Sequence, residues 1–471
     1  MLTQRLAEFV IDTRTADIPQ QVMDGARDAL IDTLGCGLAG TLEETGEIAL
    51  RFARECGGNP HATVWAHAFS TSAPDAAFVN GIASHALDFD DTHVSVRGHP
   101  SPTLIPAIIA AGEYAHASGA DALAAHAVGL EVGGKIGRAL GDAHYMRGWH
   151  ATATVGVFSC TAAATRLLRL SSEQLRMAFG IAASQLSGLV RNFGTMTKPF
   201  HAGHAAKCGV ISAMMARQGF TADASIFDGK DSLFKTYAGE DAQPLAQLLE
   251  RLASPWEMLE PGIGYKRWPC CYCNHRSIGG LLQMLKQHAI KPDEVEAVEI
   301  GFPPGSDTAL ISSDPQTGLQ GKFSIEYVAA ATLLDGKIGL ESFTDVMVQR
   351  PEVRQLMQKV KRYRIDIPGI FSGTTGYNDL AVKTTRGEFK QHIDKTPGSP
   401  AWPITAADRD EKFLDCAGRV LGDRGAQTLL VLANGCQQLA DISELARATV
   451  PAGAAVRAAA PSGKKTLSER A

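Results

Sequence analysis

The hydrophobic period of this chain changes twice along its length, and that limits the fold more than any single motif. Up to about residue 240, apolar side chains recur at helical spacing. Pro19 opens a segment that puts Val22, Ala26, Leu30 and Leu34 on one face. Residues 104–117 and 122–140 are alanine-rich with the same spacing. Ser171 to Gln174 form a capping box ahead of Leu175, Phe179 and Ala183, and residues 203–218 continue the pattern. Near Glu260 the character changes. Residues 295–302 alternate like a strand, 327–334 read as helix, and 353–360 read as a short helix followed by strand-like 363–367. Residues 380–393 read as a hairpin. After Pro400 helical spacing returns, with Thr405 as the N-cap of a helix over 406–421. The expectation is a mainly α protein with an α+β second domain. A large all-helical domain begins at 1–265, a smaller α+β lid domain is inserted at 266–398, the chain returns to the helices over 399–450, and a disordered tail follows at 451–471.

Composition narrows the function. Of 471 residues, 45% are hydrophobic and 20% charged, so the chain can bury a core. The net charge of −5 carries no basic stripe and argues against a nucleic-acid partner. No run is long and apolar enough for a membrane helix. The first fourteen residues hold Glu8 and Asp12 where a signal peptide needs an apolar core. Nine cysteines without an export signal read as reduced thiols, and the expected location is the cytoplasm.

Polar chemistry concentrates in a few stretches. Between His85 and His99, three aspartates (Asp88, Asp90, Asp91) and three histidines (with His93) fall within 15 residues. Asp88 and Asp91 are three apart, so a helical turn would place them on one face with Thr92. Close carboxylates drive their pKa values apart, which suits one to acid/base work. The bland alternative is that Asp90 or Asp91 caps a helix. A metal is a further option, weakened by the short spacing. His150 precedes an uncharged helix-like run. Lys198 stands between Gly194 and Pro199 just before a helix start, where backbone donors and an ammonium could meet one anion. Cys270, Cys271, Cys273 and His275 lack a second cysteine pair, so small thiols packed against a helix are favoured over zinc. The glycine-rich 371–377 loop has no dinucleotide-binding pattern around it.

Taken together these segments resemble the MmgE/PrpD family, which includes 2-methylcitrate dehydratase, cis-aconitate decarboxylase and iminodisuccinate epimerase. The stretches that carry the resemblance are FVNGIASHALDFDDTH, GHPS, GWHATATVG, GTMTKPFHAGHAAKCG, KRWPCCYCNH, KFSIEYVAAATLLDG and FSGTTGYNDL, in that order. Several of the phrases look closest to the epimerase branch, while Tyr327 looks more like the decarboxylases, and His93 stands where many members carry tryptophan. The resemblance implies a helical domain with an α+β lid, a homodimer, and a site between the domains that needs neither cofactor nor metal. Residue by residue, it implies catalytic roles for Asp88, His99, His150, Lys198 and Tyr327, and substrate contacts from Thr92, Lys198 and His275. Asp88 would orient a histidine, His99 and His150 would move protons with pKa values near working pH, and Tyr327 would donate from the lid. The implied reaction is a lyase reaction, dehydration or decarboxylation of a small polycarboxylate. Epimerisation of iminodisuccinate or a relative is the alternative. A non-catalytic carboxylate-binding protein and a metal-dependent hydrolase on Asp88, Asp90 and Asp91 are more remote ones.

Overall fold

A computed structural model of the chain describes residues 1–453 apart from 370, 372 and 374. The tail expected to be disordered therefore lies, from residue 454 on, outside the described residues, as do two positions of the 371–377 loop. None of the described helices is long and apolar enough to cross a membrane.

Nine helices account for most of the first 217 residues: α1 (Leu2–Asp12), α2 (Gln20–Gly40), α3 (Glu44–Cys56), α4 (Ala73–Ala86), α5 (Ser101–Ala115), α6 (Gly119–Met146), α7 (Ala151–Leu167), α8 (Ser172–Ala183) and α9 (Thr197–Arg217). The capping box at Ser171 and Gln174 starts α8. A second body follows. It holds α10 (His275–His288), α11 (Ile325–Asp335) and α12 (Pro351–Met357) against strands β1 (Val295–Phe302), β2 (Val360–Arg364), β3 (Asn378–Thr384) and β4 (Gly387–Ile393). The sheet order is β2-β1-β3-β4, with β1 and β2 parallel and the other neighbours antiparallel. The helix expected over 353–360 stops at Met357 because Val360 pairs with Val298 and begins β2. The chain then returns as α13 (Ala406–Asn434), capped by Thr405 and bent at Gly422, where φ is 66°.

Two apolar cores underlie this organisation. One joins α1 to α9 with Phe413, Ala417, Leu429 and Leu430 of α13, so the return segment packs into the first core. The other gathers Ile278, Leu281, Val298, Ile300, Val328 and Val382 between α10, α11 and the sheet. Alternation of buried and half-buried positions along β3 puts one face of the sheet on that core.

Close helix packing brings the polar segments together. A Cβ on Gly81 of α4 would lie 2.7 Å from Gly203 Cα of α9, and one on Gly203 would lie 2.3 Å from the Phe78 carbonyl oxygen. Only hydrogens allow that approach, and it sets His85, at the end of α4, against Lys198, at the start of α9. Gly203→Ala is expected to destabilise the protein by about 1–3 kcal/mol through overpacking. Urea denaturation measures this; a change under about 0.5 kcal/mol would contradict the close-contact reading.

Candidate active site

A cavity of about 100 Å³ lies between the two bodies. Asp88, Thr92, Arg97, His99, His150 and Lys198 face it from the helical body, and Cys271, Tyr272, Cys273, Thr308 and Phe323 from the other. Lys266, where the chain first crosses, completes the wall. Of the residues expected from the sequence, the fold brings five to this cavity: Asp88, Thr92, His99, His150 and Lys198.

The segment after α4 is not the helical turn expected from Asp88 and Asp91. Asp88 takes a left-handed conformation, φ 52°, and breaks the helix. The three carboxylates diverge as a result. Asp88 Oδ1 accepts from Lys198 Nζ at 2.6 Å and lies 2.9 Å from Lys266 Nζ. Lys266 Nζ also donates to the Asp88 carbonyl at 2.9 Å. Burial alone would raise the Asp88 carboxyl; the Lys198 and Lys266 ammonium groups overcome it and hold it well below the usual carboxylate range. Lys198 sits 5.4 Å and 5.5 Å from the ring centroids of Phe193 and Phe323, in cation–π range.

Asp90, not Asp88, orients the histidines. Its two oxygens lie 2.8 Å from His85 Nδ1 and 2.9 Å from His99 Nδ1. His99 Nδ1 also lies 2.7 Å from the Asp91 carbonyl oxygen. Both partners are acceptors, so Nδ1 carries the proton and Nε2 carries the lone pair. The His99 backbone N–H donates to Thr152 Oγ1 at 3.0 Å, which fixes the residue against the start of α7. His85 uses the same tautomer: its Nε2, 2.8 Å from Lys198 Nζ, accepts from the ammonium. Burial lowers His85 to about 3 against the opposing pull of Asp90. Burial also lowers His99 and takes His150 well below the ordinary imidazole value, with His201 and Lys198 adding to it for His150. The expectation of histidines titrating near working pH is corrected in direction: burial moves both below the ordinary value and favours their neutral form. His150 Nδ1 lies 2.9 Å from His201 Nδ1, so one of the two nitrogens donates and the other accepts.

Two expected residues stand apart. Tyr327 is fully buried in the first turn of α11, and its hydroxyl donates to the Ser342 carbonyl. Phe323 from the same segment occupies the wall instead. Tyr327 does not line the cavity in this arrangement. His275 is buried behind the wall, with ring centroids 5.1 Å from Trp268 and 5.0 Å from Tyr272. The tight turn Tyr272–Asn274 presents Tyr272 and Cys273 to the cavity, so His275 does not reach it. Sequence reasoning missed Lys266 and the Asp90 pairing. Lys266 lies at the domain crossing, a place that could have flagged it. Asp90 lay within the polar cluster with nothing to separate it from Asp88.

Asp91 follows the bland reading. It accepts the Ser101 backbone N–H at 3.1 Å and the Ser101 hydroxyl, and so caps α5. Ligand atoms of His85, Asp88, Asp90 and His99 lie within 4.8 Å of one another. They do not fit a divalent cation, since the Lys198 ammonium already contacts His85 and Asp88 at 2.8 and 2.6 Å.

Burial raises Asp91 to about 8, although the Ser101 hydrogen bond pulls it down. A folded-state value above the unfolded one means that stability present at low pH is lost as pH rises toward about 8. At ~1.4 kcal/mol per unit, the loss between pH 6 and 8 is up to about 2–3 kcal/mol. Asp91→Asn should flatten this slope in melts at pH 6 and pH 8. An unchanged slope would remove Asp91 as its source.

Residues 4–245 match the MmgE/PrpD N-terminal domain, and residues 268–437 match the MmgE/PrpD C-terminal domain. The chain is 29% identical over 458 residues to cis-aconitate decarboxylase of Homo sapiens, an alignment covering 94% of this chain and 93% of that protein. It is 28% identical over 465 residues to the Mus musculus protein of the same name, covering 95% and 93%. It is 25% identical over 475 residues to cis-aconitate decarboxylase of Aspergillus terreus, covering 94% and 95%. The two domain matches together span most of the chain, in the order helical body then α+β body, and the protein therefore belongs to the MmgE/PrpD family.

Proposed function

We propose that this protein is a lyase acting on a small polycarboxylate of the aconitate type, moving a proton at a carbon next to a carboxylate. The observation that carries the reading is His99. Its Nδ1–H is held by the Asp91 carbonyl with Asp90 beside it, its Nε2 has no hydrogen-bond partner among the described residues, and two ammonium groups stand in the same cavity wall. The relatives named cis-aconitate decarboxylase support the substrate class.

The chemistry follows from these groups. Asp88 is shared by Lys198 and Lys266, so the three carry a surplus positive charge toward an anion. Substrate carboxylates bind there, and Arg97 and Thr92 add donors on the same wall. An anion beside His99 raises the affinity of Nε2 for a proton, and Asp90 stabilises the imidazolium. In a decarboxylation, the bond to one carboxyl carbon breaks and CO₂ leaves. The electron pair of that bond forms a new double bond, the pair of the original double bond moves to its far carbon, and that carbon takes the proton from protonated His99. In a dehydration, His99 takes the proton next to a carboxylate and the neighbouring carbon loses hydroxide. His150, on the same wall with its ring centroid 6.5 Å from that of His99, is the second proton-transfer group. The chain works as a cytoplasmic homodimer in this reading, without cofactor or metal.

Proton NMR in D₂O with cis-aconitate, 2-methylcitrate and iminodisuccinate, in the presence of a chelator, tests the proposal. Loss of CO₂ or water from one of the first two, with deuterium at one carbon, is the expected result. Exchange without net loss would identify an epimerase, and no exchange with any of the three would sink the reading. His99→Gln and Lys198→Ala should each lower kcat by at least about 10²-fold. Because the free imidazole is lowered by burial, the neutral base persists below the ordinary value of about 6.5. For a dehydration, in which His99 is the base, the acid limb of kcat/KM should therefore fall below pH 6.5; a limb at 7 or above would contradict the assignment of that role to His99.

A further inference from the structure

A decarboxylation uses a proton that the cavity must then replace. The departing CO₂ leaves an electron pair on carbon, the pair takes up one proton, and each turnover therefore draws one proton from water. His99 cannot be resupplied through its far nitrogen, because Nδ1 faces the Asp91 carbonyl and the Asp90 carboxylate, which have no proton to give. His85 has both nitrogens engaged, by Asp90 and by Lys198.

His150 is different. It precedes the first turn of α7 and lines the cavity, and its Nδ1 lies 2.9 Å from Nδ1 of a second imidazole, His201. The contact leaves Nε2 as the nitrogen that His150 can offer to the cavity. His201 stands on α9, one turn beyond Lys198, and does not line the cavity. Its Nε2 has no partner among the described residues and is not sealed off from solvent. The surface is close by. Gly188, at φ 100°, closes over the pair: its carbonyl accepts the His150 backbone N–H at 3.0 Å, and a Cβ there would lie 3.3 Å from the His201 ring. The next residue, Leu189, is 47% exposed. Burial lowers His201 to about 4, with Lys198 and His204 adding to it, so the neutral ring is favoured here as it is for His150.

We propose that His201 is the proton entry of the site, relaying protons between water and the cavity through His150. The proposal rests on the lyase reading above, in its decarboxylating form. His201 begins with its proton on Nδ1 and His150 with its proton on Nε2. A proton from water adds to His201 Nε2. The N–H bond at His201 Nδ1 breaks as one forms at His150 Nδ1. The His150 Nε2 proton then passes, by way of water in the cavity, to the His99 Nε2 that has given its own proton to carbon. Each relay ring gains one proton and loses one, so neither has to hold a positive charge beside Lys198. Once product has left, the same transfers in reverse, from cavity water to outside water, restore both tautomers. His201 touches no substrate and acts only through His150.

Turnover of cis-aconitate by variants of the full chain tests the relay. The amide of His201→Asn can still hydrogen-bond His150 Nδ1 and orient the ring, but it cannot pass a proton on. This change should lower kcat by about 10-fold or more and leave KM within about 2-fold. His201→Ala should show the same loss, and added imidazole should restore part of it. Full kcat in His201→Asn would overturn the proposal, and so would a loss in His201→Ala that imidazole does not relieve. If the wild type leaves cis-aconitate unchanged, the lyase reading fails, and NMR of the chain labelled with nitrogen-15 histidine tests the relay separately. The expected signal is a nitrogen–nitrogen coupling across the hydrogen bond between the two Nδ1 atoms, lost in His201→Asn. Its absence from the wild type would mean that the rings share no proton, and would overturn the relay whatever the substrate.

Discussion

The site is organised around one buried carboxylate shared by two buried ammonium groups. Asp88 follows α4, Lys198 opens α9, and Lys266 belongs to the strand of chain that crosses between the bodies. Taking such charges out of water costs several kcal/mol per ion, and removing one partner from a buried pair costs about 3–5 kcal/mol. The cluster is therefore poor value as a stabiliser and is better understood as a device for specificity. It requires three distant segments to be in register before any charge is satisfied. Lys266 donates to the Asp88 carbonyl as well as standing beside its carboxylate, so it holds the left-handed turn that separates Asp88 from Asp90.

That turn has chemical consequences. By sending Asp88 toward the lysines and Asp90 toward His85 and His99, it assigns one carboxylate to charge balance and the other to tautomer control. A third, Asp91, is used to cap α5. Three adjacent acids thus have three environments: two are held ionised by cations or imidazole N–H groups, and one is kept neutral by burial. Environment, not residue type, decides the role.

The surroundings keep this arrangement in place. Lys412 of α13 donates to Asp32 of α2 at 2.6 Å, to the Phe89 carbonyl at 2.7 Å and to the Lys266 carbonyl at 3.1 Å. The return helix thereby ties down both the aspartate segment and the crossing lysine. On the other side, buried Glu257 accepts from Ser95 at 2.6 Å, Lys135 at 2.8 Å and Arg138 at 3.0 Å, and its carbonyl lies 3.0 Å from His93 Nε2. His93, conspicuous in the sequence as a departure from the family's tryptophan, is part of this support and not of the cavity.

The helical body, the α+β insertion and the caps at Ser171 and Thr405 were readable from the sequence, because periodicity and capping are local properties of neighbouring residues. Five cavity residues were readable as well, since the polar cluster after α4, His150 and Lys198 stand out against alanine-rich helices. The roles were not. Whether Asp88 or Asp90 holds a histidine depends on one left-handed residue and on a lysine 178 positions away. Whether Tyr327 and His275 reach the cavity depends on how α11 and α10 seat against their neighbours, which sequence spacing does not encode. Sequence alone determined which elements form and which residue types are available for chemistry. Tertiary structure decided which carboxylate meets which cation, and so which groups are charged, because desolvation and Coulomb energies depend on distances that only long-range packing sets.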